Sequence, residues 1–131
     1  MKGYVDDIEK ATRANDAFRH VIYTGAHLQL VLMTLQPGEE IGEETHDDGD
    51  QFLRIEAGEG DVLIDGAHHK VVSDSAVIVP AGARHNVVNT GKQPLKLYTL
   101  YGPPEHRDAI VQRDKRGAEA THEHFDGTTT E

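Results

Sequence analysis

Apolar and polar residues alternate in short runs along this chain, and turn formers interrupt the runs every few positions. Residues 27–35 (HLQLVLMTL) are dense in strand formers and stop at Pro37-Gly38. Residues 41–46 predict a second, short strand that ends in the acidic loop DDGD. Residues 51–56 (QFLRIE) alternate and give way to Gly58 and Gly60. Residues 61–64 (DVLI) and 68–72 (HHKVV) flank Asp65-Gly66-Ala67. Asp-Gly between such runs predicts a hairpin, because both positions tolerate φ > 0. Residues 76–79 predict a buried strand stopped by Pro80 and Gly82. Residues 85–88 and 95–101 complete the set, separated by Asn89-Thr90-Gly91.

About eight short strands between residues 27 and 101 predict an all-β sandwich or small barrel. No strand-helix alternation suggests a parallel α/β sheet. Residues 5–15 (VDDIEKATRAN) have helical spacing and predict a short N-terminal helix or arm. After Gly102-Pro103-Pro104 the chain turns charged, which predicts a C-terminal helix or lid with a loose end at TTTE. The expected organisation is one domain over 1–131, with its core at 27–101 and an extension at 102–131.

Composition narrows the function classes. The chain has 131 residues, enough for one core without covalent staples. Acidic residues number 23 against 13 basic, a net charge of -10 that repels phosphate backbones and anionic lipid surfaces. Nucleic-acid and membrane partners are therefore not expected. With no cysteine, disulfides, thiolate metal sites and cysteine nucleophiles are excluded. The longest apolar runs are too short to span a bilayer and the first ten residues lack an apolar signal core, so the expected location is the cytoplasm.

The candidate chemistry lies in GEETH and its surroundings. Glu44 and His46 are two apart, so an extended strand projects both to one face. Gln51 begins the next strand, where a hairpin return brings its side chain beside that pair. His85 opens a later strand after the Pro80-Ala81-Gly82 turn. Oxygen and imidazole donors converging inside a barrel form a site for one first-row divalent ion: iron, manganese, zinc or nickel. A carboxylate facing such an interior incurs a large desolvation cost unless a cation partners it, which favours Glu44 as a ligand.

These residues resemble two motifs of the cupin superfamily. Gly38, Glu44, His46, Gln51 and Gly58 match the spacing of its first signature, and Pro80, Gly82, His85 and Asn89 match the second. The family usually has histidine at the position of Glu44 and glutamate at that of Gln51, so carboxylate and neutral donor have traded places. Asp74 stands where the second motif commonly has glycine. The resemblance implies a double-stranded β-helix, one divalent metal ion held by Glu44, His46, Gln51 and His85, and a homodimer paired through its sheets. It also implies a small-molecule substrate. The chemistry is either isomerase or lyase work on a sugar or sugar acid, as in the mannose-6-phosphate isomerases to which small cupins are likened, or dioxygenase work with iron(II). A non-catalytic metal- or ligand-binding module is the remaining reading.

Other candidates carry less. Of His68 and His69, alternation lets only one face inward. His122 and His124 lie in a polar tail expected to be solvated. Arg54 and Arg84 alternate outward, and Phe52 shares the outward face of Arg54, suited to a dimer interface. Met33, Leu53, Val87 and Tyr101 are expected to line the interior, the first three as core. Tyr101 offers the one polar handle.

Overall fold

The computed structural model describes residues 1–131. Helix α1 (Ile8–Ala14) precedes β1 (Arg19–Thr24), β2 (Gln29–Leu35), β3 (Glu44–Thr45), β4 (Asp50–Ala57), β5 (Glu59–Ile64) and β6 (Ala67–Val72). Then come β7 (Ala76–Val79), β8 (Arg84–Val88), β9 (Leu95–Gly102), β10 (Val111–Gln112) and α2 (Lys115–Ala120). The strands form a six-stranded sheet, ordered β10-β1-β2-β9-β4-β7, and a four-stranded sheet, ordered β3-β8-β5-β6. Every pairing is antiparallel. The buried positions of both sheets meet in one apolar cluster. Val31, Met33, Leu53, Ile55 and Leu97 come from the larger sheet, and Val62, Val71 and Val87 from the smaller. No helix is long and apolar enough to cross a membrane.

Period-2 alternation sets the faces of the strands that the sequence made plain. Along β9 every odd position from Leu95 to Tyr101 is buried. Asp65 and Gly66 close the β5–β6 hairpin with φ of 47° and 83°. Asp74 adopts φ of 76°. It keeps the turn that glycine commonly makes, and its carboxylate accepts a 2.9 Å bond from Arg54 Nη2.

Three expectations are corrected. Strand β1 lies before the expected core, and its period-2 signal is broken by a register shift between Val21 and Tyr23. The strand expected at residues 41–46 shrinks to Glu44–Thr45. Gly42, at φ 110°, breaks the extended run there, although Ile41 N still donates to Val87 O at 2.9 Å. The end at TTTE is not loose. Thr130 N donates to Thr24 O at 2.9 Å, and the Glu131 carboxylate accepts from Lys2 N, Gly3 N and the Tyr23 hydroxyl.

The extension is tied down much earlier, by one side chain. Gln29 on β2 is fully buried. Its Oε1 accepts from Glu105 N at 3.2 Å and His106 N at 2.9 Å, while its Nε2 donates to His106 O at 2.7 Å and Thr24 Oγ1 at 2.9 Å. Strand β10 then returns to pair with β1, and Asp114 caps α2 through a 2.6 Å bond from Gly117 N.

Glycines at matching motif positions should respond differently to substitution. Gly58 has φ of 87°, and a Cβ there would lie 2.6 Å from Pro94 O; Gly38, at φ 84°, meets nothing within 4 Å. Gly38→Ala is expected to lose about 1 kcal/mol of unfolding free energy from backbone strain alone. Gly58→Ala adds a backbone clash and should lose roughly 3 kcal/mol or more in urea denaturation.

Candidate metal centre

The smaller sheet builds the site through its shortest strand. Glu44 on β3 is the direct cross-strand partner of His85 on β8. His46 follows two residues on, and its carbonyl accepts from Gly82 N at 2.9 Å, which holds the chain against the turn before β8. One ligand atom from each of Glu44, His46 and His85 lies within 4.8 Å of the others. His46 Nε2 and Glu44 Oε2 are 3.1 Å apart. Two donors each about 2.1 Å from one ion and at right angles would stand about 3.0 Å apart, so this spacing fits adjacent positions around a single metal.

A hydrogen bond orients His85, and a carboxylate contact flanks His46. His85 Nδ1 lies 3.0 Å from Ala83 O, which can only accept, so Nδ1 carries the proton and Nε2 presents its lone pair. His46 Nδ1 lies 3.5 Å from Glu105 Oε1, the carboxylate-histidine arrangement that sets ring orientation and raises ligand basicity. The hydrogen bond that His46 donates to Glu44 holds its pKa above the ordinary imidazole value, against desolvation, with the Glu105 charge adding to the effect. Burial pushes Glu44 up, but its bond and charge attraction to His46 outweigh burial and leave the carboxyl below its usual range.

Gln51 is buried on β4, cross-strand from Tyr101. Its Nε2 donates to Thr99 Oγ1 at 3.0 Å, and that hydroxyl donates onward to Phe52 O at 2.9 Å. The amide is therefore fixed, and Oε1 is left buried without a partner. An orphaned acceptor of this kind suits a cation or a ligand hydroxyl.

Beside Tyr101, the polar handle expected from the sequence, the surroundings add groups that the sequence did not single out. Tyr101, buried, sets its ring edge-on to His46 at 5.7 Å and to His106 at 5.2 Å. Burial, then the charge of Glu44, pushes its phenol far above the usual range. His106 Nδ1 meets Glu123 Oε1 at 2.5 Å, and Glu123 Oε2 accepts from Arg107 N at 2.7 Å. Burial raises the Glu123 carboxyl, but these two bonds outweigh it and keep it ionised. Glu105, His106, Glu123, Arg19 and Gln112 share a cavity of about 370 Å³ with Glu44 and His46. Pro103-Pro104 marks the turn that leads to Glu105 and His106, but a charged tail gives no periodic sign that it folds back. Only the density of histidine and glutamate hinted at it.

The lesser candidates mostly fall away. His68 and His69 are both exposed, and His68 pairs with Asp61 at 2.6 Å. Arg54 pairs with Glu56 and Asp74, and Arg84 with Glu43. Met33, Leu53 and Val87 are core. His122 and His124 are exposed but border the cavity, because Glu123 between them is anchored on His106.

Known proteins resemble this chain in sequence and fold. A cupin domain family model matches residues 31–101. The uncharacterized protein YrkC of Bacillus subtilis (strain 168) is 46% identical over 125 residues, 91% of this chain and 67% of that protein. The crystal structure of BH2720 from Bacillus halodurans superposes with a TM-score of 0.90 at 44% identity, covering 92% of this chain and 96% of that one. Mannose-1-phosphate guanylyltransferase of Escherichia coli (strain K12) is 32% identical over 73% of this chain, which spans 20% of that enzyme. With the domain model matching over half of its length, on the strands that carry Glu44, His46 and His85, the chain belongs to the cupin family.

Proposed function

We propose that this cupin is a metal-dependent enzyme acting on a small oxygenated substrate, with isomerase or lyase chemistry on a sugar or sugar acid. The observation that carries it is the convergence of Glu44, His46 and His85, the first two of which also line a cavity of polar and charged side chains. Gln51 Oε1, buried and unpartnered, supplies the fourth donor. Four protein donors leave coordination positions open for substrate oxygens, and the ion when bound polarises a carbonyl or acidifies a hydroxyl. The phosphate of a sugar phosphate has no basic cradle in this cavity, whose wall contains Arg19 and no lysine. Unphosphorylated substrates are therefore favoured over those suggested by a guanylyltransferase or a mannose-6-phosphate isomerase.

Proton movement falls to His106. With Nδ1 donating to the ionised Glu123, its Nε2 is left as a base. Tyr101 packs edge-on against both His106 and His46. A second reading, an iron(II) dioxygenase, draws on the same donors, since two imidazoles and one carboxylate form the facial set that binds iron with open positions.

Tag-free protein analysed by metal mass spectrometry is expected to retain about one divalent ion per chain. His46→Ala and His85→Ala should each lower metal affinity by more than the 10–100-fold typical of losing a supporting outer partner, whereas Glu105→Gln should stay inside that range. Full metal content in His85→Ala would overturn the assignment. Metal uptake must displace the proton that Glu44 stabilises on His46. Calorimetry should therefore show affinity rising about tenfold per pH unit below the elevated His46 value and levelling above it. In the chelated protein the sign is opposite. The His46–Glu44 pair stabilises the fold below the ordinary imidazole pKa, and that contribution is lost as pH rises through the elevated folded value.

For turnover, His106→Gln should retain the metal and lose about 100-fold or more in kcat on any substrate found from panels of sugars, sugar acids and keto acids. Oxygen consumption coupled to turnover, with iron bound, would shift the assignment to the dioxygenase.

A further inference from the structure

Two buried donors beside the ligand cluster have no acceptor. Arg19 is 7% exposed and Gln112 6%, and they are direct partners across the β1–β10 ladder. Arg19 Nη1 donates to Gln112 Oε1 at 2.5 Å, which fixes the amide. Arg19 Nε and Gln112 Nε2 are then left without partners, although both are out of contact with water. Arg19 makes no ion pair. Its guanidinium lies 5.3 Å from the Phe18 ring centroid, and the charges of Glu44 and Glu123 reach it only at longer range. These interactions offset part of the desolvation of a buried cation and none of the missing hydrogen bonds. Both side chains line the cavity that also exposes Glu44 and His46.

We propose that Arg19 and Gln112 form an anion seat that takes the carboxylate of a small organic acid, with an oxygen on the adjoining carbon directed to the Glu44–His46–His85 cluster. This rests on the metal-dependent reading above and specifies its substrate class. A guanidinium edge offers its N–H groups to a planar carboxylate, and the neighbouring amide N–H completes the seat. The charge balance favours a monoanion over a dianion. One guanidinium stands among the carboxylates of Glu44, Glu105 and Glu123, which repel a doubly charged phosphate more strongly than a singly charged carboxylate.

The test titrates glycolate, lactate and pyruvate, and their amides, into metal-free and manganese-loaded protein, with heat of binding as the readout. Wild type should bind at least one acid about tenfold or more tightly than its amide. Arg19→Met should lose that preference for the acid while leaving amide binding unchanged, and Arg19→Lys should restore part of it. Gln112→Leu gives a smaller loss in the same direction and serves if Arg19→Met does not fold. Acid affinity indifferent to both substitutions, or no acid binding by wild type in either form, overturns the seat. The outcomes separate from those of the metal site. Arg19-dependent acid binding by protein that takes up no manganese when it is supplied would retain the seat and sink the metal reading, whereas tight metal with Arg19-independent acid binding would sink the seat alone.

Discussion

The site depends on one cross-strand pair. Glu44 and His85 face each other across a ladder that is only two residues long on the β3 side, so their side chains start about 5 Å apart and point the same way. A slip of one residue would turn Glu44 to the opposite face and separate the carboxylate from both imidazoles. The register is pinned from either side, by Ile41 N on Val87 O before the strand and by Gly82 N on His46 O after it. The ligands thus inherit their spacing from backbone hydrogen bonds rather than from the packing of flexible side chains.

Around that pair the protein places charges that oppose folding and favour ligands. Glu44 is partly desolvated, Arg19 is buried with its Nε unpaired, and Gln51 keeps a buried oxygen without a partner. Each of these would be cheaper if replaced by an apolar residue of similar size. Against these groups, the interior between the two sheets is filled by an apolar cluster with no polar member besides the Tyr101 hydroxyl. Local instability confined to a site and borne by a well-packed core is the usual pattern of a binding or catalytic centre.

The strands from Gln29 to Gly102 and the four proposed ligands were legible because their signals are local. Alternation, Asp65-Gly66 and the i, i+2 spacing of Glu44 and His46 need only a few neighbouring residues to be read. Arg19, Glu105, His106 and Glu123 were not, since nothing in PPEHRD or THEHF states which part of the chain it will meet. Strand β1 escaped for a different reason: the bulge after Val21 breaks the very periodicity by which a strand is recognised. Non-local closure, in which residue 123 meets residue 106 and residue 112 meets residue 19, leaves no trace in composition.

Gln29 shows how strictly a residue with no contact to a substrate can be specified. A carboxamide has two acceptor lone pairs and two donor hydrogens, and in the fold all four are spent: two on the amides of residues 105 and 106, two on the His106 carbonyl and Thr24. Glutamate of the same shape could accept but not donate, and lysine could donate but not accept, so no other side chain of that length balances the four groups. Where the base His106 stands is therefore encoded one strand away, in the polarity of a single amide.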